Sequence, residues 1–211
     1  MPDSSTPTAI EFSFDPVCPW TWRTSRWVRR VAAARSLDLR WRPFSLKLNA
    51  PNADDIPPQF RIGGEMGAVA LRLIAQLDSR GERETVDRYY TALGTRVHID
   101  GVAAHPDVAR EVATELGLDT AALDDPSLDA TLRSSIDEAL GLVGDGVGSP
   151  ILAMTFADGV RRAFFGPVIA APATGEVADG DDARIWDAVV TLARADAFSE
   201  MKRGRTLPRS G

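Results

Sequence analysis

Thiols and imidazoles are scarce in this chain. Among 211 residues there is one cysteine, Cys18, and there are two histidines, His98 and His105. A single sulfur excludes an internal disulfide, so any disulfide the protein makes joins it to another molecule. The histidines lack the i, i+4 spacing of a helical metal motif, and no metal is expected. Positive charge is in deficit too: 24 Lys and Arg against 30 Asp and Glu leave a net charge of −6 and a pI near 5.0. That balance argues against nucleic acid as a partner, because phosphate backbones call for a basic face. The basic ending Lys202, Arg203, Arg205 and Arg209 is read as a solvated tail. No run approaches the roughly 20 apolar residues that span a bilayer. The polar start Met1 to Thr8 lacks the basic and apolar regions of a secretory signal. The expectation is a cytoplasmic protein without membrane contact.

What is present begins with a period of two. Ile10, Phe12 and Phe14 alternate with Glu11 and Ser13, which reads as a half-buried strand from Ala9 to Phe14. Asp15 and Pro16 end it. A helix is expected from about Pro19 to Ala34, then a second strand from Leu37 to about Ser45. The opening is thus a β-α-β unit, which favours a parallel pair. Asn49 to Pro58 reads as loop. Apolar residues then recur at helical spacing around Met66 to Leu77, over Arg83 to Val97, over Pro106 to Leu116, and at Leu128, Leu132, Ile136 and Leu140. Gly144-Asp145-Gly146-Val147-Gly148 breaks that pattern. It is no phosphate loop, since it lacks a Gly-Lys-Ser/Thr ending and leads into a strand. A hairpin follows, Ile151 to Phe156 and Val160 to Phe165 around Asp158-Gly159, then a last helix carrying Ile185, Trp186, Val189, Leu192 and Ala193. Without the helical block the order is β-α-β, β-β-α. The expected fold is therefore α/β, a thioredoxin-like core formed by residues 1–56 and 144–211, with an all-helical insertion at 57–143.

Cys18 falls where a strand gives way to a helix. A thiolate is the reactive form of cysteine, and the unpaired N–H groups and partial positive charge of a helix N-terminus stabilise it. With Pro19 at the first helical position and Trp20 next, Cys18 reads as a nucleophile rather than a packed apolar residue. Thr21 stands three residues on, where dithiol enzymes of this type carry a second cysteine. Its hydroxyl either donates to the thiolate or packs the helix, and it cannot resolve a mixed disulfide. Pro150 precedes the third strand and, in a thioredoxin core, is cis and lies against the cysteine. The backbone of Ser149 is then free to pair with a bound thiol or peptide. Asp15, three residues before Cys18, either acts on the thiol as a nearby carboxylate or only turns the chain with Pro16. His98 at a helix end either moves protons near Cys18 or caps the surface. No nucleotide fingerprint is present, so reducing equivalents have to come from a thiol.

Six blocks in order resemble the DsbA-like, mycothiol-dependent nitroreductase or thiol reductase family of actinobacteria: Phe14-Asp15-Pro16-Val17-Cys18-Pro19-Trp20, Thr24-Ser25-Arg26-Trp27, Tyr90-Thr91-Ala92-Leu93-Gly94 with Arg96 and His98, Val147-Gly148-Ser149-Pro150, Phe164-Phe165-Gly166-Pro167-Val168 and Glu200-Met201-Lys202-Arg203. The resemblance implies a mixed disulfide between Cys18 and mycothiol, the thiol serving as cosubstrate with no tightly bound cofactor. It also implies a cleft lined by Trp20, Asn49 and His98, and a homodimer. Where this chain has Thr21, family members have cysteine. A cycle here runs through Cys18 and two external thiols in sequence, acting on disulfide or electrophilic substrates, nitro compounds among them. Two other readings remain open. One is a thiol S-transferase or isomerase resembling kappa-class glutathione transferases, in which a hydroxyl at the helix start activates a bound thiol. The other is a non-catalytic redox sensor that is capped and uncapped at Cys18.

Overall fold

A computed structural model describes residues 5–172, 174, 180–202 and 204. The alternating segment at the start forms β1 (Pro7–Phe14), whose Ile10, Phe12 and Phe14 are buried. Helix α1 (Pro19–Arg35) returns the chain to β2 (Asp38–Pro43). The two strands pair in parallel with Phe12 opposite Trp41, and those two rings meet edge to face at 5.6 Å.

Strand β2 stops short of the expected end at Ser45. Phe44 still donates its N–H to the Phe14 carbonyl, but the Ser45 hydroxyl accepts the Leu48 N–H. Ser45 is thus the N-cap of a short helix, α2 (Leu46–Asn49), inside a stretch that alternation alone does not reveal.

Between β2 and β3 lie α3 (Pro58–Ser79), α4 (Arg83–His98), α5 (Pro106–Glu115) and α6 (Asp129–Val143). Helix α3 begins well before Met66, the first residue of the apolar pattern. Its opening turns carry Gly63, Gly64 and Gly67, which bury backbone rather than side chains. The chain then re-enters the sheet as β3 (Ile151–Phe156) and β4 (Arg161–Phe165), and helix α7 (Asp181–Ala193) closes the described structure.

The sheet order is β2-β1-β3-β4, with β1–β2 parallel and the pairs β1–β3 and β3–β4 antiparallel. This is the thioredoxin arrangement. One hydrophobic cluster joins Phe12 and Leu152 of the sheet to Trp27 of α1, Leu71 and Ile74 of α3, Leu93 of α4, Val112 of α5 and Trp186 of α7. The inserted helices therefore share the core of the sheet instead of enclosing a separate one. Of the basic ending, Arg203, Arg205 and Arg209 lie outside the described residues.

Trp27 is fully buried and packs on Trp186 with ring centres 6.2 Å apart. Trp27→Ala is expected to cost about 3–5 kcal/mol in urea unfolding through lost burial and a cavity. Phe60→Ala, at a side chain 61% exposed, is expected to change stability by less than about 0.5 kcal/mol.

Candidate active site

The strand-to-helix junction builds the site. Cys18 is the N-cap of α1 with extended backbone (φ −75°, ψ 115°), and Pro19 follows it inside the first turn. The Cys18 N–H donates to the Asp15 carbonyl at 3.1 Å, which closes a tight turn over Pro16 and Val17. The Cys18 carbonyl accepts from the Trp22 N–H at 3.0 Å, which starts the helix. The sulfur makes no capping bond to α1. It faces the Ser149 carbonyl at 4.0 Å, and the residue as a whole is buried with 8% exposure.

Ser149 and Pro150 are joined by a cis bond, and the Pro150 carbonyl accepts the Gly166 N–H at 2.8 Å. This ties the approach to β3 to the end of β4. Thr21 is fully buried and its hydroxyl donates to Ser149 Oγ at 3.0 Å. Each hydroxyl can give one hydrogen and accept another, so the pair ties the first turn of α1 to the approach to β3. The Asn49 amide donates to the Val147 carbonyl at 3.1 Å, so α2 holds the segment leading to Ser149. Leu46 supports the same segment from below, because a Cβ on Gly148 would stand 3.0 Å from Leu46 Cδ2. Pro19 and Trp20 are half-buried on the first turn of α1.

Asp15 is completely buried. One carboxylate oxygen accepts the Val17 N–H at 3.0 Å and the other accepts the Leu46 N–H at 2.8 Å. Burial pushes its carboxyl up to about 6, against the downward pull of those two donors. Helix α3 presses on it from the side: a Cβ on Gly67 would fall 2.5 Å from Asp15 Oδ1. A neighbouring glycine, Gly63, lies against Val17 in the same way.

His98 ends α4 and places Nε2 2.8 Å from the Pro16 carbonyl. A carbonyl only accepts, so Nε2 carries the hydrogen. Burial lowers the imidazole to about 4, which makes it a neutral donor at physiological pH and unsuited to shuttling protons there. Its ring stacks on Trp22 at 5.6 Å and 24°. The arginine of the Thr24-to-Trp27 block, Arg26, lies over the Trp22 ring at 3.9 Å. This packing needs Gly94, since a Cβ there would fall 2.1 Å from the Trp22 ring.

The structure thus brings together Asp15, Cys18, Thr21, His98, Ser149 and Pro150 around one junction, with Asn49 one step removed. Sequence reasoning missed the glycines of α3 and the N–H of Leu46. The pair Gly63-Gly64 followed by Gly67 in a helical stretch was the available signal, because interior glycines mark close backbone approach.

A histidine held neutral by burial adds stability above its unfolded pKa of 6.5, and that stability is lost as pH falls toward 4. Asp15 has the opposite sign, since its raised pKa favours the fold below 3.8 and costs it as pH rises through about 6. His98→Gln keeps a donor for Pro16 and is expected to be less stable than wild type at pH 7. The gap is expected to shrink by up to about 3 kcal/mol between pH 6.5 and pH 4, read from urea unfolding midpoints. A constant gap would mean that His98 is not held neutral.

Residues 17–203 match the model of the family described as Rv2466c-like, mycothiol-dependent nitroreductase Rv2466c. The "Uncharacterized protein Rv2286c" of Mycobacterium tuberculosis (strain ATCC 25618 / H37Rv) is 32% identical over 204 residues, 94% of this chain and 83% of that protein. Among solved structures, a thioredoxin-like oxidoreductase from Silicibacter pomeroyi DSS-3 is similar with a TM-score of 0.50 and 21% identity, over 90% of this chain and 87% of its own. Cytosolic disulfide reductase DsbM from Pseudomonas aeruginosa has a TM-score of 0.51 and 18% identity, over 88% and 100%. The same DsbM has been solved with GSH, with a TM-score of 0.50 and 16% identity, over 86% and 98%. At these identities the structural likeness shows the thioredoxin-like fold.

Proposed function

The chain belongs to the Rv2466c-like family of mycothiol-dependent nitroreductases, and from that premise we propose that it works as a monothiol oxidoreductase through Cys18. The thiolate of Cys18 attacks the disulfide of an oxidised low-molecular-weight thiol or of a mixed-disulfide substrate. A new bond to Cys18 forms, the old S–S bond breaks, and one thiolate leaves. A second thiol then attacks the bound half, releasing it as a disulfide and returning Cys18 to the thiolate. Reduction of an electrophile such as a nitro compound needs two electrons, drawn from two thiols taken in turn. Mycothiol is the proposed thiol, on the family's description, and the cytoplasm is the proposed setting for it. That a DsbM structure holds GSH supports a small thiol as cosubstrate.

The observation that carries this reading is the placement of the chain's one sulfur at the start of α1, 4.0 Å from the Ser149 carbonyl beside Pro150. The backbone there can align an incoming thiol as an added strand. Thr21 fills the place of a second cysteine and is hydrogen bonded to Ser149, which leaves resolution to an external thiol.

Intact mass after incubation with oxidised mycothiol tests the reading. One adduct is expected on wild type, absent in Cys18→Ser and removed by further thiol, and the variant is expected to lose turnover by several orders of magnitude. A Cys18→Ser protein with unchanged turnover would overturn the reading and favour activation of a bound thiol by a hydroxyl.

A further inference from the structure

The contacts around the junction form a closed ring. It leaves Cys18 through the turn to Asp15 and crosses from the Asp15 carboxylate to the Leu46 N–H. It then runs along α2 to Asn49, passes from the Asn49 amide to the Val147 carbonyl, and returns through Ser149 to the Cys18 sulfur and the Thr21 hydroxyl. The only charged member between the turn and α2 is Asp15. We propose that Asp15 is a positioning residue: acting through α2, its carboxylate sets where the Ser149–Pro150 backbone stands relative to the Cys18 sulfur. This rests on Cys18 being the nucleophile, as proposed above.

Three features support it. Asp15 is fully buried with both oxygens on backbone N–H groups, one from the catalytic turn and one from α2. A carboxylate accepts both bonds well, whereas a protonated carboxyl has one oxygen that carries hydrogen and accepts poorly. Gly67 brings the backbone of α3 against it, since a Cβ there would fall 2.5 Å from Oδ1. Removing charge from Asp15 therefore weakens the Val17 or the Leu46 bond, and the slack passes along the ring.

The neighbouring elements carry Cys18 at the N-cap of α1, Lys47 on α2, Glu65 on α3, and Tyr90 and His98 on α4, and of these Tyr90 is electrostatically coupled to Asp15. Lys47 and Glu65 pair with each other at 2.6 Å. Burial pushes the Tyr90 phenol up and the His98 imidazole down to about 4, so both stay neutral between pH 5 and 8. Asp15, raised to about 6, is the carboxyl that changes charge inside that window. The titration of Cys18 itself is followed separately, by labelling with iodoacetamide, which needs no alignment by Ser149.

The test compares wild type, Asp15→Asn and Asn49→Ala. Adduct formation with oxidised mycothiol is followed against its concentration from pH 5 to 8, together with backbone hydrogen exchange of residues 144–150. At pH 7.5, Asp15→Asn is expected to raise the half-saturating concentration about tenfold, the scale of one hydrogen bond to a charged group, and to speed exchange at 144–150. Wild type is expected to approach the same values as pH falls through about 6, a step that Asp15→Asn lacks. Asn49→Ala cuts the ring between α2 and Val147, and is expected to loosen 144–150 at every pH and to lose most of the pH step there. Faster exchange at Val17 and Leu46 alone, with 144–150 unchanged, would overturn the proposal, as would the same pH step in Asp15→Asn. If Asp15→Asn does not fold, wild type at pH 5.5 against Asn49→Ala at pH 7.5 decides: unlike changes at 144–150 overturn it. A protein that forms no adduct at any pH would overturn the monothiol reading, and hydrogen exchange would still judge the role of Asp15.

Discussion

The end of β1, helix α2 and the first turns of α3 meet on one carboxylate that forms no ion pair among the described residues. Asp15 accepts a backbone N–H from the turn ahead of Cys18 and another from the start of α2, and α3 covers it with the backbone at Gly67. A buried ion without a counter-charge is costly, and hydrogen bonds from two segments of backbone are what the fold offers in return. Those segments are thereby fixed to each other. Once α2 is fixed, so is the stretch it holds through Asn49, and with it the backbone that faces the sulfur. The inserted helices are in this sense part of the site's scaffold, beside sharing the core of the sheet.

The other wall of the site is held by rings. Trp22 lies one helical turn beyond Cys18, stacked on His98 and covered by Arg26, with Gly94 making room for it. Tyr90 and Phe14 extend the aromatic packing inward with ring centres 4.1 Å apart. His98 serves this wall twice, through its stacked ring and through its bond to the Pro16 carbonyl. A group so placed fixes the turn before the cysteine, and its low pKa is the electrostatic mark of that burial. Rigid neighbours matter for the proposed function because the chain has a single cysteine and no second thiol to correct a misplaced encounter.

The sheet was legible in the sequence because its strands obey period two on one face: Ile10, Phe12 and Phe14, then Leu39 and Trp41. The cysteine, the threonine after it and the proline before β3 were legible from their places at element boundaries. Three things were not. The short helix α2 carries too few residues for a period, and Ser45 looked like strand because Phe44 before it is still bonded to β1. The start of α3 was hidden because glycines leave no apolar pattern, although their role is to let backbone approach Val17 and Asp15. The partners of Thr21, Asn49 and His98 were out of reach, because hydrogen bonds between residues 82 to 128 positions apart leave no trace in local spacing.

The margins of the sheet have a consequence of a different kind. One outer strand, β4, has five residues and begins with Arg161 and Arg162, which pair with Glu11 and Asp196. The other, β2, carries Arg40 and Arg42, paired with Asp78 and Glu138, and ends on a proline with no N–H to offer. Short, arginine-bearing, proline-ended margins are poor templates for a strand from another molecule. Crowded copies of the protein therefore have little opportunity to zip together margin to margin into aggregates.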